Sequence, residues 1–204
     1  MPKTKKLILA VLAVLAFSVP GFGQAGRGGF FLSVAGYFPV EDFIHSGYGS
    51  GFGTVLSFTP NLSIGFEWKY TRLRVDRTAE GLLAGQLFMT PLLVSLYYSF
   101  LPDWKVSPYA ILGAGLFISN FNLQGRATPE EQQIKSQDIR NGPGWCTGIG
   151  AAFRTTARVT VFARALYLGR TADAESVYFS GRTPQTFQVN LSSLSLIAGI
   201  EYHY

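Results

Sequence analysis

LSIGFEWKY, residues 62–70, alternates without a break between large apolar side chains and small or charged ones. The apolar positions are Leu62, Ile64, Phe66, Trp68 and Tyr70, and those between them are Ser63, Gly65, Glu67 and Lys69. Successive side chains of a β-strand point to opposite faces. The segment therefore predicts a strand in a sheet with one apolar face and one polar face.

The same alternation recurs along the chain and predicts eight strands. In each of them one face contains no Asp, Glu, Lys or Arg. After the N-terminal segment no apolar run reaches the length of a membrane-spanning helix, which excludes helical spans. The predicted strands cover roughly 28–39, 50–58, 62–72, 88–100, 108–119, 144–154, 159–168 and 189–204.

The faces opposite the apolar ones separate two architectures, a soluble sandwich and a membrane barrel. A sandwich would carry outer faces rich in Lys, Glu and Thr. Here those faces are small, with glycine pairs such as Gly113 and Gly115, which suits a crowded barrel lumen. Only a closed barrel lets strands satisfy every backbone group in lipid. We therefore predict an all-β fold, a transmembrane eight-stranded antiparallel up-and-down β-barrel.

The predicted connections alternate in length, as they do in outer-membrane barrels with short periplasmic turns and long extracellular loops. Aromatic residues at the strand ends indicate the two interfacial girdles. The short links are 59–61, 101–107 and 155–158, and the long ones 40–49, 73–87, 120–143 and 169–188. The girdle residues are Phe58, Phe100, Tyr167, Tyr202 and Tyr204.

The first 25 residues have the order of a secretory signal peptide. Basic MPKTKK is followed by an apolar run from Leu7 to Phe17, a break at Pro20, and small residues up to Ala25. The run is too short to span a membrane. We expect a cleaved signal peptide over 1–25 and a barrel domain over 26–204.

Charge and cysteine content exclude further classes. The formal net charge is +5, but three of the basic residues fall in the signal peptide and no Lys- or Arg-rich run follows, so nucleic acid is not an expected partner. Cys146 is the only cysteine, which excludes an intramolecular disulfide and a Cys-based zinc site.

Two stretches resemble bacterial outer-membrane eight-stranded β-barrel proteins of the OmpA-like and OmpW-like group. PLLVSLYYSFLPDWKVSPYAILGAGLF, 91–117, is a proline-led strand, a short turn and a Gly-x-Gly strand, and LSSLSLIAGIEYHY, 191–204, is a last strand with a C-terminal aromatic residue. The resemblance implies the outer membrane of a Gram-negative bacterium and contact with its lipid. It also implies that Ile200, Tyr202 and Tyr204 form the signal read by the outer-membrane assembly machinery.

Four functions are compatible with this class, since fold does not fix function. A structural scaffold that displays its loops, with a narrow or plugged lumen, is the favoured one. A porin-like channel for small or hydrophobic solutes, as in the OmpW-like branch, is the alternative. A lipid hydrolase, with Ser and His on the outer wall, and a dedicated adhesin are less favoured, and we predict no enzyme.

The two histidines give little support for chemistry. His45 precedes Ser46 in the first predicted loop, with acidic residues nearby, and a solvated loop histidine is the simpler interpretation. His203 lies at the periplasmic rim with Glu201 on the same face, and no His-x-Ser pair falls in the membrane wall. No metal site and no cofactor are predicted.

The lumen of an eight-stranded barrel is just wide enough for side chains to fill it. Glu67 and Arg164 lie at similar heights on strands that face each other, and an unpaired charge there would be costly. We predict that the two side chains pair across the lumen and that Lys69, Arg154 and Glu201 complete a network. The network would close the barrel to ions; the alternative is that the charges only satisfy one another and gate nothing. The other predicted inward residues include Phe31, Tyr37, Tyr97, Tyr109, Phe117 and Phe162.

A capping-box pattern in the third long loop predicts a short helix over 129–137. Thr128 would be the N-cap, Pro129 the first helical residue and Glu131 the reciprocal cap. A flexible polar loop is the alternative, because one isolated turn is marginal in water.

Removing Tyr202 to Tyr204 is expected to block assembly rather than export. Cell fractionation of the truncated chain should find it in the periplasm, and the full chain in the outer membrane. Normal yield of the truncated chain in the outer membrane would show that the terminal row is not an assembly signal.

Overall fold

The computed structural model describes residues 28–76, 84–123, 134–179 and 183–204. The predicted signal peptide lies outside these ranges. Within them no helix is long and apolar enough to cross a membrane. The strands are β1 (Gly28–Pro39), β2 (Ile44–Ser57), β3 (Leu62–Val75), β4 (Gly85–Ser99), β5 (Val106–Leu123), β6 (Ile134–Ile139), β7 (Gly142–Arg154), β8 (Val159–Gly169), β9 (Thr171–Tyr178), β10 (Gln185–Asn190) and β11 (Ser193–His203).

Eight of these strands close into an antiparallel barrel in the order β1-β2-β3-β4-β5-β7-β8-β11. The seam between β1 and β11 runs from Gly29 opposite His203 to Pro39 opposite Ser193. Neighbours in the barrel are consecutive among its strands, so the predicted eight-stranded up-and-down barrel is confirmed.

The strict period of two also assigns the two faces of the wall correctly. Outward side chains remain exposed in the isolated chain, such as Leu32 at 71%, Leu112 at 62% and Ile149 at 68%. The preceding residue on the strand is buried, as Phe31 is before Leu32 and Ile111 is before Leu112. A wall with this pattern presents a continuous apolar surface, which is stable only against lipid.

The barrel wall continues beyond the predicted strand ends on the extracellular side. The predicted first loop, 40–49, is wrong, because β2 begins at Ile44 and only 40–43 connect it to β1. Strands β3 and β4 likewise extend to Val75 and Gly85. Outside the membrane, strands can pair through their backbones without an apolar face, so the alternation does not mark these extensions. In the β2–β3 extension the register shifts between His45 and Tyr48.

The chain between the barrel strands forms a second, three-stranded sheet in the order β10-β9-β6. The helix predicted over 129–137 is wrong for 134–137, which belong to β6, and its capping residues lie outside the described ranges. The tertiary pairing of β6 with β9, for example Asp138 with Glu175, outweighs the local preference for a helix. The predicted last strand, 189–204, is divided between β10 and β11.

Arg170, between β8 and β9, holds this extracellular sheet to the barrel. Its guanidinium donates to Ser119 Oγ at 2.7 Å and to the Arg140 carbonyl, and it stacks 5.5 Å from the Phe117 ring centroid. Its backbone N–H donates to Ser192 Oγ at 3.2 Å. Through its side chain and its backbone, this one residue connects β5, the residue after β6 and the segment before β11.

Val34, midway along β1 and 66% exposed, tests the lipid-facing assignment. We expect Val34→Arg to lower the free energy of unfolding by about 2–4 kcal/mol, because an arginine would face hydrocarbon. The measurement is denaturant unfolding in lipid vesicles. Thr186→Arg, on an exposed position of the extracellular sheet, should change stability little. Equal effects of both substitutions would contradict the assignment.

Candidate functional site

Aromatic side chains fill the lumen by lying over glycines of neighbouring strands. A Cβ added at Gly65 would come within 2.6 Å of the Tyr97 ring, and one at Gly150 within 2.5 Å of the Tyr109 ring. Phe31 lies over Gly53 in the same manner. These glycines leave the space that large rings need in a narrow barrel, which supports the interpretation of the glycine pairs as lumen packing.

A charged cluster of Glu67, Lys69 and Arg164 crosses the centre of the lumen. Arg164 Nη2 donates to Glu67 Oε1, and Lys69 Nζ lies 3.1 Å from Glu67 Oε2. All three side chains are buried, with exposed fractions of 1–2%. The contact predicted between Glu67 and Arg164 is therefore present, and one carboxylate serves two cations.

The Arg164 guanidinium is fixed on three further sides. Its Nη1 donates to Tyr97 Oη at 2.9 Å. It also lies between two rings, 5.0 Å from the centroid of Phe31 and 4.8 Å from that of Phe162. Cation–π contacts of this kind strengthen when they are removed from water. The cluster is thus held by packing as well as by charge.

Two apolar clusters border the charged cluster. The periplasmic one contains Phe31, Tyr97, Tyr109, Ile111, Phe162, Leu166 and Ile197. The extracellular one includes Tyr37, Leu87, Met89, Phe117, Cys146 and Leu168 and continues into the small sheet through Ile139, Ala172, Ala174 and Val189. Charges in the middle of the barrel are therefore separated from water by side chains, above all on the extracellular side.

The structure does not bring Arg154 and Glu201 into this cluster. Arg154 is exposed, and its Nη2 donates to the Pro102 carbonyl at 3.0 Å. Glu201 Oε1 lies 3.5 Å from His203 Nδ1. Both residues lie near the periplasmic mouth, where a long side chain reaches the turn or a neighbouring strand more easily than the opposite wall.

A cavity of about 170 Å³ opens into the lumen from this mouth. Its walls come from the first two periplasmic links, through Pro60, Pro102 and Trp104, and from the adjoining strand ends, and its deep end reaches Arg164. Sequence reasoning missed the cavity, because its lining is assembled from many strands. Among its lining residues are Ser107 and Trp104, which no spacing in the sequence connects to Arg164.

Thr160, His203 and Glu201 form a polar row in the wall of the cavity. Thr160 Oγ1 and His203 Nε2 are 2.9 Å apart, and the imidazole bridges to Glu201 on its other side. The other histidine, His45, contacts Asp76 Oδ2 at 2.6 Å on the exposed extracellular extension. The described residues contain no group of three or more His, Cys, Asp or Glu arranged to hold a metal.

The predicted assembly residues form one outward row on β11. Ile200, Tyr202 and Tyr204 are 57%, 43% and 51% exposed. The Tyr204 ring packs edge-on against Phe30, and its N–H donates to the Gly28 carbonyl at 3.1 Å. The row thus combines a surface aromatic belt with closure of the barrel seam.

Comparison of the whole fold with solved structures finds outer-membrane barrels. The outer membrane protein OprG from Pseudomonas aeruginosa superposes with a TM-score of 0.76 at 14% identity, over 89% of this chain and 97% of that one. AlkL, an outer membrane protein, has a TM-score of 0.60 at 16% identity over 91% and 93%. Neisserial surface protein A has 0.56 at 14% over 89% and 98%.

No protein-family model matches the chain. No curated protein matches it by sequence.

The closed barrel, its apolar outer surface and these likenesses define the class. The chain has the fold of the eight-stranded outer-membrane β-barrel proteins.

Glu67→Gln tests how much the lumen depends on the carboxylate at the centre of the charged cluster. We expect the free energy of unfolding to fall by about 3–5 kcal/mol, because two buried cations lose their counter-charge. Denaturant unfolding in lipid vesicles measures it. The matched control is Glu175→Gln, which removes an ion pair to Arg140 that is 61% exposed on the arginine side. That change should cost less than about 1 kcal/mol, and equal costs would show that the lumen cluster contributes no more than a surface pair.

Proposed function

We propose that this protein is a closed structural scaffold that holds its extracellular sheet at the surface of the outer membrane. The observation that carries the proposal is the filled lumen. Glu67, Lys69 and Arg164 occupy its centre, with apolar clusters on either side. An ion crossing the barrel would have to displace both a paired charge cluster and close-packed side chains.

The extracellular half supports the same proposal. The extracellular apolar cluster continues from the barrel wall into β6, β9 and β10. The side chains that fill the lumen and those of the small sheet therefore share one apolar core. Arg170 adds polar anchoring at the junction. A sheet held in this way presents a fixed surface rather than a flexible loop.

A channel for small or hydrophobic solutes is the second candidate. The periplasmic cavity favours it, because this opening already reaches Arg164 from one side. Passage would still require the extracellular cluster to separate, and its members Leu87, Phe117 and Leu168 are almost fully buried.

We propose no enzymatic activity. The row of Thr160, His203 and Glu201 has the order of a hydrolytic triad, but Thr160 is 6% exposed and faces the lumen. A lipid hydrolase would need its nucleophile on the wall that meets the lipid. We interpret the row as polar lining of the mouth.

The partners proposed on this basis are outer-membrane lipid and the assembly machinery that would read Ile200, Tyr202 and Tyr204. Exposed Arg72 and Arg74 follow Tyr70 on the outward face of β3, where anionic lipid headgroups would meet them.

Conductance in planar lipid bilayers tests the scaffold against the channel. We expect the parent protein to show no steady ion current, and Glu67→Ala, once folded and inserted, to show one, because the cluster loses its bridging carboxylate. Asp103→Ala, on an exposed periplasmic link, is the control and should behave like the parent. Steady current through the parent would favour the channel.

Equal conductance of Glu67→Ala and the parent would show that the cluster does not gate ions. If Glu67→Ala fails to fold, the combined change Glu67→Gln, Lys69→Met and Arg164→Met removes all three charges and permits the same comparison.

A further inference from the structure

The periplasmic cavity contains polar groups that the protein itself leaves unused. Among the described residues, Arg164 Nε and Ser107 Oγ are both buried and have no hydrogen-bond partner. Both residues line the cavity. Buried polar groups are almost always satisfied by protein, water or a ligand, so these two mark a place for acceptor atoms.

The cavity is also positively charged. Arg164 stands at its deep end and Arg154 at its exposed mouth, and Glu201 is the acidic lining residue. Lys69 and Glu67 lie behind Arg164, so this half of the lumen contains three cations and two carboxylates. One positive charge is therefore in excess when the His203 imidazole is neutral. A single negative charge would balance the set.

Aromatic rings also line the pocket. Phe31 and Phe162 flank the Arg164 guanidinium and also line the cavity, and Trp104, 64% exposed, stands at its entrance. Rings of this kind suit a flat apolar body. The volume of about 170 Å³ is below the ~300–1,000 Å³ of sites for drug-sized ligands, so the occupant must be small.

We propose that the periplasmic cavity is a binding site for a small organic monocarboxylate with an aromatic or aliphatic body. The carboxylate accepts hydrogen bonds from the Arg164 end of the pocket, and its charge balances the excess that includes Arg154. The apolar body lies between the aromatic rings. The site faces the periplasm, so binding requires no passage through the barrel.

Benzoate and benzyl alcohol are the test probes, because they share a ring and differ in charge. The full-length protein, assembled in the outer membrane and purified in detergent, is titrated with each at mildly alkaline pH by isothermal titration calorimetry. We expect saturable binding of benzoate, and binding of benzyl alcohol weaker by about tenfold, the worth of one charged hydrogen bond.

Two arginine variants locate the site. Arg154→Gln should weaken benzoate binding by about tenfold. Arg158→Gln, which removes an exposed cation from the same periplasmic turn but not from the cavity lining, should leave it unchanged. Both arginines are exposed, so neither change should disturb folding. Heat-modifiable mobility in gel electrophoresis checks that each variant is folded.

Three results would overturn the proposal. Absence of saturable benzoate binding would mean that water alone fills the cavity. Equal binding of benzyl alcohol would mean that the pocket recognises only the ring. Equal losses in Arg154→Gln and Arg158→Gln would mean that benzoate responds to the general charge of the periplasmic rim. None of these outcomes bears on conductance, so the scaffold proposal is tested separately.

Discussion

No water is available inside the hydrocarbon layer to bond to backbone N–H and C=O groups, so each strand must find a partner on both sides. The pairing of β1 with β11 meets that requirement by joining the first described strand to the last. Every other feature depends on this closure. It fixes the number of strands and therefore the radius of the barrel. It also fixes which side chains face lipid and which share the confined interior.

The narrow radius explains the composition of the interior. Large rings can enter only where the neighbouring strand offers no side chain, as at Gly65 beneath Tyr97 and Gly150 beneath Tyr109. The charges of the central cluster are paired, because Lys69 and Arg164 share the Glu67 carboxylate. The narrow radius thus explains why the lumen combines glycines, large aromatic rings and a few paired charges.

The barrel wall could be predicted from the sequence because apolar residues alternate with a period of two, which is also the period of side chains on the two faces of a strand. The pairing of Glu67 with Arg164 followed from the same rule, since facing strands and similar heights place the two side chains together. The predicted helix is wrong over 134–137 because a capping signal near Thr128 is local and does not reflect the tertiary pairing of β6 with β9. Arg154 failed because a residue at the mouth can reach the Pro102 carbonyl instead of the charged cluster.

The extracellular sheet was missed for a related reason. β6, β9 and β10 are short, and their alternation is not tied to a lipid-facing surface, so no strong apolar period marks them. Yet Ala174 and Val189 of this sheet belong to the same cluster as Leu87 and Phe117 of the barrel. Opening the lumen at its extracellular end would therefore expose part of the core that supports the sheet. The extracellular part of the lumen and the small sheet form one packed unit, so opening a path for solutes would lower the stability of the sheet.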